Sequence, residues 1–215
     1  RNVEKISGIN RIEVLDELKL LLADDEILYN CPDKKQELLM SYAKACENCT
    51  SGGTVLVPIA AICENLEHKA EWMMKNIREN EWIPDGTDGG WFNGYYDNNG
   101  RPVERCESGD VRMMLTGQVF AIMSGTAKKE QIKAICNSAD KYLFDQKAGG
   151  YRLNTDFKEE KFDLGRMFGF AYGEKENGAV FSHMAVMYAN ALYKQGFIKE
   201  GYKVLKTLLD TDRKS

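Results

Sequence analysis

The stretch that decides the fold is FSHMAVMYANALYKQGFIKEGYKVLKTLL, residues 181–209. Apolar side chains recur in it at helical spacing, first over 181–193 and again over 199–209. Gly196 lies between the two runs and can adopt the left-handed conformation that ends a helix. Because the connection is short, the stretch predicts an antiparallel helical hairpin.

Helical periodicity recurs upstream of this hairpin. Segments 111–123 and 131–143 form a second pair, joined at Ser124-Gly125-Thr126, and Thr126 is the expected N-cap of the second helix. Further apolar series predict helices over 12–22, 38–45 and 54–78. A succession of hairpins of this kind predicts a mainly α fold.

Two segments interrupt the helical pattern. Between Pro84 and Pro102, an aromatic run precedes Asn99-Gly100, which is turn chemistry that predicts one β-hairpin insert laid over a helix end. Residues 145–177 contain many glycines and few helical signals. A loop this long in a compact helical domain is typical of a functional surface such as an active-site wall, and its many aromatic residues argue against a disordered linker.

The composition excludes several classes of function. The chain has 215 residues, a net charge of −4 and a pI near 5.4, which argue against a non-specific nucleic-acid binder. It lacks an apolar stretch of membrane-spanning length and a secretory start, so we expect a cytoplasmic protein without a membrane partner. The six cysteines predict reduced, mostly packed thiols. The Cys46–Cys49 pair lacks the further ligands of a metal site, so no metal is expected.

Charged and polar groups cluster around a glycine turn just before the last hairpin. The cluster includes Lys175, Glu176 and Asn177. Ser182 is expected to cap the following helix and to place His183 in its first turn, where backbone N–H groups and the helix dipole favour a bound anion. The alternative, in which His183 only packs at a helix–loop junction, stays open at this point.

Aromatic and polar side chains of the two irregular segments suit a carbohydrate ligand. Pyranose faces stack on rings, and hydroxyl groups take side-chain hydrogen bonds. The alternative is that most of the rings form a core beneath the hairpin and the loop. The candidate sugar contacts are Trp91, Tyr95, Asn154, Asp156, Arg166 and Tyr172.

The block from Lys175 to His183 resembles the Lys-Glu-Asn-Gly…Phe-x-His block of the inverting β-glucan phosphorylases, glycoside hydrolase family 94, the cellobiose phosphorylase family. Residues 90–100 resemble the strand and turn of that family. Residues 115–125 resemble its glutamine-containing helix and add Gln118 as a substrate-side candidate. In Leu-Thr-Gly-Gln at 115–118 and in residues 152–156 and 181–184, the chain is most similar to the branch acting on β-1,2-linked oligoglucans.

The resemblance implies an (α/α)6 barrel and phosphorolysis with inversion at the anomeric carbon. An Asp is the general acid on the glycosidic oxygen, and inorganic phosphate, the co-substrate, attacks the opposite face without a cofactor or a metal. Matched residue by residue, His183 corresponds to the phosphate ligand and Lys175 to an acceptor-side sugar contact. Glu176 and Asn177 are implied to contact sugar or to support the loop.

The resemblance covers residues 53–210, so we expect a helical segment at 1–52 followed by part of the barrel at 53–215. The family's general-acid motif is not found upstream of Gly53, and Asp24 and Asp25 fit the end of an amphipathic helix instead. We therefore expect a barrel fragment without its general acid. The alternative is a non-catalytic helical module that binds glucan, or that packs against a second copy or a complementing chain.

Overall fold

The structure is a computed structural model that describes residues 8–22, 26–47, 49–159 and 161–212, so the expectation for Asp24 and Asp25 lies outside it. Contacts divide the chain into two compact units, Arg1–Met74 and Lys75–Ser215. The prediction of a mainly α fold is confirmed. The α-helices of the described residues are α1 (Glu26–Asn30), α2 (Pro32–Cys46), α3 (Ile59–Asn80), α4 (Leu115–Met123), α5 (Lys129–Tyr142), α6 (Ser182–Lys194) and α7 (Ile198–Asp212).

The first unit begins with a strand where a helix was predicted. Strand β1 (Arg11–Leu15) pairs antiparallel with β2 (Thr54–Pro58), and a 3-10 helix, Asp16–Leu22, follows β1. Ile12 and Val14 alternate with polar residues, and this two-residue period lets the β-branched side chains fit a strand. The predicted helices over 12–22 and 54–78 were therefore wrong in their first residues, whereas α2 confirms the helix predicted over 38–45.

The second unit is built on two helical hairpins, as predicted. α4 and α5 form one, and α6 and α7 form the other, with Gly196 at φ 84° in the short connection. The Phe197 N–H donates to the Leu192 carbonyl, which closes the end of α6. The apolar faces of these helices meet in one core, whose fully buried members include Leu115, Val119, Ile122, Ile132, Ile135, Leu143, Tyr188 and Leu192.

The structure contains more small sheets than the one β-hairpin insert that was predicted. The described residues hold four two-stranded antiparallel sheets. The turn Glu107-Ser108-Gly109-Asp110 is a hairpin signal that the sequence carries and that the prediction overlooked. In the second unit the strands are β3 (Trp82–Pro84) with β4 (Gly90–Phe92), β5 (Arg105–Glu107) with β6 (Asp110–Arg112), and β7 (Phe144–Asp145) with β8 (Gly150–Tyr151).

Two predicted helix caps were wrong. Phe181 occupies the N-cap position of α6, and Ser182 is already the first helical residue, without a side-chain capping bond. The N-cap of α5 is Lys128, whose backbone N–H donates to Gln131 Oε1 at 3.0 Å. Thr126 is buried, and its hydroxyl lies 2.9 Å from that of Ser124. The helices therefore begin slightly away from the residues that composition favours as caps.

Residues 152–155 form a segment that is hydrogen-bonded on one side to residues 113–115, at the start of α4, and on the other to Ala179, in the loop before α6. We call this arrangement the 152–155 ladder. It places the start of α4, the loop before α6 and the central segment side by side. Its backbone hydrogen bonds run from Leu115 N to Leu153 O (2.8 Å), from Thr155 N to Met113 O (3.0 Å) and from Leu153 N to Ala179 O (3.0 Å).

Candidate functional site

The cluster predicted before α6 is a tight turn. The Gly173 N–H donates to the Asn177 carbonyl at 2.7 Å, and the Asn177 N–H donates to the Glu174 carbonyl at 3.0 Å. Lys175 lies between them at φ 45°, in the left-handed region. A non-glycine residue held there costs on the order of 1–3 kcal/mol, so the surrounding contacts must hold the turn in place.

Tyr172 packs directly on the end of this turn. A Cβ added to Gly178, which has φ 79°, would lie 2.3 Å from Tyr172 Cε2, so the ring needs a glycine beneath it. The Tyr172 hydroxyl donates to the Asn154 carbonyl at 3.2 Å, and the Arg152 guanidinium carbon lies 5.3 Å from the ring centroid. Partial burial raises the pKa of Tyr172 above its ordinary value. Tyr172 as a whole keeps 37% of its surface exposed, so part of the residue is open to a ligand.

Two of the predicted cations approach the same aromatic ring. Lys175 Nζ lies 4.7 Å from the centroid of Phe170, and the Arg166 guanidinium carbon lies 5.4 Å from it. Both cations are exposed. Asn177 Nδ2 donates to the Phe170 carbonyl at 2.8 Å and so ties this ring to the turn. The structure therefore brings Arg166, Lys175 and Asn177 together around Phe170, and both cations can donate hydrogen bonds to an oxygen-rich ligand.

Glu176 has an unpaired oxygen at the same turn. Its Oε2 is buried and has no hydrogen-bond partner among the described residues. A buried carboxylate oxygen without a donor is unfavourable, because it has lost water and gained nothing in return. Because this oxygen is buried, it is not open to a ligand at the surface of the turn.

His183 is the second residue of α6, which confirms its predicted place in the first helical turn. The residue is exposed. Its ring lies near that of Phe181, with the centroids 5.4 Å apart. No side chain of the described residues caps this helix start. The first N–H groups of α6 and the positive end of its dipole are therefore available to an anion beside the imidazole.

Trp91 and Gln118 lie in the core, which corrects the expectation that they contact sugar. Trp91 is fully buried, and its Nε1 donates to the Arg112 carbonyl at 3.0 Å. Gln118 is fully buried as well, and its amide pairs with both backbone groups of Phe92, at 2.8 and 2.9 Å. A buried ring has no free face for a pyranose, and a fully paired amide has no hydrogen bond left to offer.

The other candidates divide between surface and interior. Tyr95 and Asp156 are exposed, but Asp156 Oδ1 accepts from the nearby Lys158 N–H, a local turn contact. Asn154 is fully buried beneath the turn rather than open to a ligand.

The sequence analysis did not identify Glu104, whose carboxyl group is buried. The residue is 1% exposed, and burial raises its pKa well above the ordinary value. No short motif marks Glu104, so its burial is visible only in the fold.

Comparison with known proteins identifies the family. Residues 60–211 match the catalytic-domain model of the Glycosyl hydrolase 94 superfamily. The chain belongs to this family. The glycosyl hydrolase 94 match covers α4 to α6 and the turn before His183, and so confirms the resemblance to this family.

Among individual glycosyl hydrolase 94 relatives, a solabiose phosphorylase from Paenibacillus borealis is 31% identical over 98 residues, which are 46% of this chain and 13% of that protein. An N,N'-diacetylchitobiose phosphorylase from Vibrio proteolyticus is 31% identical over 116 residues, 52% of this chain and 14% of that protein. The cyclic beta-(1,2)-glucan synthase NdvB from Rhizobium meliloti is 27% identical over 125 residues, 57% of this chain and 4% of that protein. The chain thus spans a small part of each relative's length.

Among the described residues, no helix combines the length and the apolar character of a bilayer-spanning segment. No group of three or more His, Cys, Asp or Glu side chains within the described ranges is arranged to hold a metal ion.

Proposed function

We propose that this chain forms part of the catalytic domain of a glycoside phosphorylase. It acts on β-linked glucooligosaccharides, with β-1,2 linkages as the preferred substrate, and releases α-glucose 1-phosphate with inversion. Inorganic phosphate is the co-substrate, and neither a metal nor another cofactor takes part. The helical hairpins of the second unit then belong to an (α/α)6 barrel. The observation that carries the proposal is that the turn bearing Lys175 and Glu176 leads directly into the uncapped helix start at His183.

In this proposal His183 and the start of α6 bind phosphate. The exposed imidazole and the first backbone N–H groups are donors on the same helix end, and the dipole favours a negative charge there. Phosphate is an anion already, so it attacks the anomeric carbon without a protein base. The proton that the leaving glycosidic oxygen needs comes from an aspartic acid of the family's motif, and we assign that role to no described residue of this chain.

The turn before α6 contacts the sugar. Lys175 and Arg166, which both approach Phe170, donate to sugar oxygens. Glu176 supports the turn, since its Oε2 is buried. Tyr172 offers its exposed part. Asn177 uses its side chain within the protein, since Nδ2 donates to Phe170 and Oδ1 accepts from Asn154 at 3.0 Å, and it therefore supports the turn.

Two observations support the β-1,2 linkage. Segments 115–118, 152–156 and 181–184 resemble the branch that acts on β-1,2-oligoglucans. The relative from Rhizobium meliloti is named for the synthesis of a cyclic β-(1,2)-glucan. Sophorose, the β-1,2-linked glucose disaccharide, is therefore the first substrate to test.

Calorimetric titration tests the phosphate site. We expect the chain to bind phosphate weakly and His183→Ala to weaken binding roughly 10- to 100-fold, because a hydrogen bond to a charged group contributes about 1.5–3 kcal/mol. The matched control is His68→Ala, which removes the chain's other histidine, an exposed residue of α3. Equal heats for His183→Ala and the wild type would contradict the assignment.

An assay for α-glucose 1-phosphate tests the role of the missing acid. With sophorose in phosphate buffer, we expect the chain alone to bind both compounds and to release no product. Release by the chain alone would place the general acid within it and would overturn that part of the proposal.

A further inference from the structure

The side chain of Asn154 lies under the turn and is fully buried in the 152–155 ladder. Its Nδ2 donates to Asn177 Oδ1 at 3.0 Å and to the Thr155 carbonyl at 2.9 Å. Its Oδ1 accepts from the Gly178 N–H at 2.7 Å. One amide therefore uses both of its ends and holds the last two residues of the turn.

The contacts of Asn154 continue toward the proposed sugar site. Asn177, which Asn154 orients, donates through Nδ2 to the carbonyl of Phe170, the ring that Lys175 and Arg166 flank. The backbone carbonyl of Asn154 also accepts from the Tyr172 hydroxyl. Apart from the bond to the Thr155 carbonyl, these bonds end on the turn or on the segment just before it, and none ends on α6.

We propose that Asn154 is a positioning residue for the sugar side of the site and acts through Asn177 without touching the ligand. The inference rests on the proposed function, because it concerns how the turn is held for a sugar. Lys175 is in an unfavourable backbone conformation, so the turn depends on contacts of this kind to keep its shape. The phosphate site at His183 lies outside the network and does not depend on it.

The position requires an amide. An aspartate at 154 has nearly the same shape and can still accept from the Gly178 N–H. Its second oxygen, however, would face Asn177 Oδ1 and the Thr155 carbonyl, which are both acceptors. The turn would have to move to relieve this repulsion, and the cations and Glu176 would move with it.

Titration of sophorose and of phosphate into the wild type and Asn154→Asp tests the inference. We expect Asn154→Asp to weaken sophorose binding about tenfold or more, the loss expected for one disrupted buried hydrogen-bonded group, and to leave phosphate binding nearly unchanged. The control is Asn190→Asp, the same change of charge at an exposed position of α6. Asn154→Ser, which adds no charge, gives the same split between sugar and phosphate if the aspartate variant does not fold.

The possible outcomes separate the two ideas. If the wild type binds sophorose and Asn154→Asp binds it equally well, the positioning role is overturned and the proposed function stands. If sugar and phosphate binding weaken together, Asn154 supports the unit as a whole and the inference is overturned. If the wild type binds neither compound, the proposed function fails and the inference fails with it.

Discussion

Glu104 is a buried acid without a full set of partners. Its Oε1 has no hydrogen bond among the described residues, and Gln118 Nε2 lies 3.4 Å from its Oε2. Burial raises the pKa of this carboxyl well above its ordinary value, so the folded protein holds this proton to a higher pH than the unfolded chain, in which a glutamate releases it at about pH 4.3. The contribution of Glu104 to the free energy of unfolding is therefore fully present below that pH and is lost as the pH rises toward the folded-state pKa.

We expect Glu104→Gln to be more stable than the wild type at neutral pH, because the amide is neutral in both states. The difference in unfolding free energy should shrink as the pH is lowered toward about 4, where glutamate is protonated in both states. Urea unfolding across pH measures this, with Glu107→Gln, an exposed glutamate of β5, as the control. A difference that stays constant with pH would contradict a raised pKa for the buried Glu104.

At the scale of elements, two connections share one backbone conformation but differ in what surrounds it. Gly196, between α6 and α7, has φ 84° and open space where a Cβ would stand. Gly178, before α6, has φ 79° and the Tyr172 ring in that space. The first connection needs a glycine for its backbone alone, and the second needs it for the backbone and for a close contact.

The alanine variants should therefore differ. Gly196→Ala should cost about 1–2 kcal/mol, the penalty of an L-residue in the left-handed region. Gly178→Ala should cost clearly more, because the added carbon also displaces Tyr172 from the turn. Urea unfolding of both variants provides the comparison, and equal losses of stability would show that the Tyr172 contact contributes nothing.

The helical hairpins were predictable, because a strong three-to-four-residue period and a glycine such as Gly196 both point to the same structure. Strand β1 was not, since Ile12 and Leu15 have helical spacing whereas Ile12 and Val14 have the two-residue spacing of a strand. Only its pairing with β2, about forty residues later in the chain, decides between them.

The candidate site was predicted in part for a similar reason. The turn at Lys175 and the helix start at His183 are close in sequence, so the pattern of residues could place the turn just before the last hairpin. The burial of Trp91 depends on its bond to Arg112, 21 residues away, and that of Gln118 on Phe92, 26 residues away. A tryptophan or glutamine looks the same in sequence whether it faces a ligand or the core.

At the scale of the whole molecule, the six cysteines, all within the described residues, form no disulfide and lie in different surroundings. Cys49 is exposed, whereas Cys136 is buried in the core of the second unit, where burial raises its pKa to about 11. The thiolate is the reactive form, so burial protects Cys136 in two ways, by blocking access and by suppressing ionisation.

Thiol labelling of the folded chain at neutral pH should therefore modify Cys49 early and Cys136 last. Peptide mass spectrometry after short reaction times measures the order. In concentrated urea the two thiols should react at similar rates, because both are then exposed. Early modification of Cys136 in the folded chain would contradict the burial of the core formed by α4 to α7.

The 152–155 ladder also bears on the order in which the chain folds. It joins Met113 to Thr155, 42 residues apart, and Asn154 to Gly178, 24 residues apart. Contacts between such distant residues require large loops to close, which makes them slow relative to a hairpin such as α6–α7. We therefore expect the turn before α6 to reach its final shape after the helices that flank it, so that a newly synthesised chain acquires the proposed binding surface late in folding.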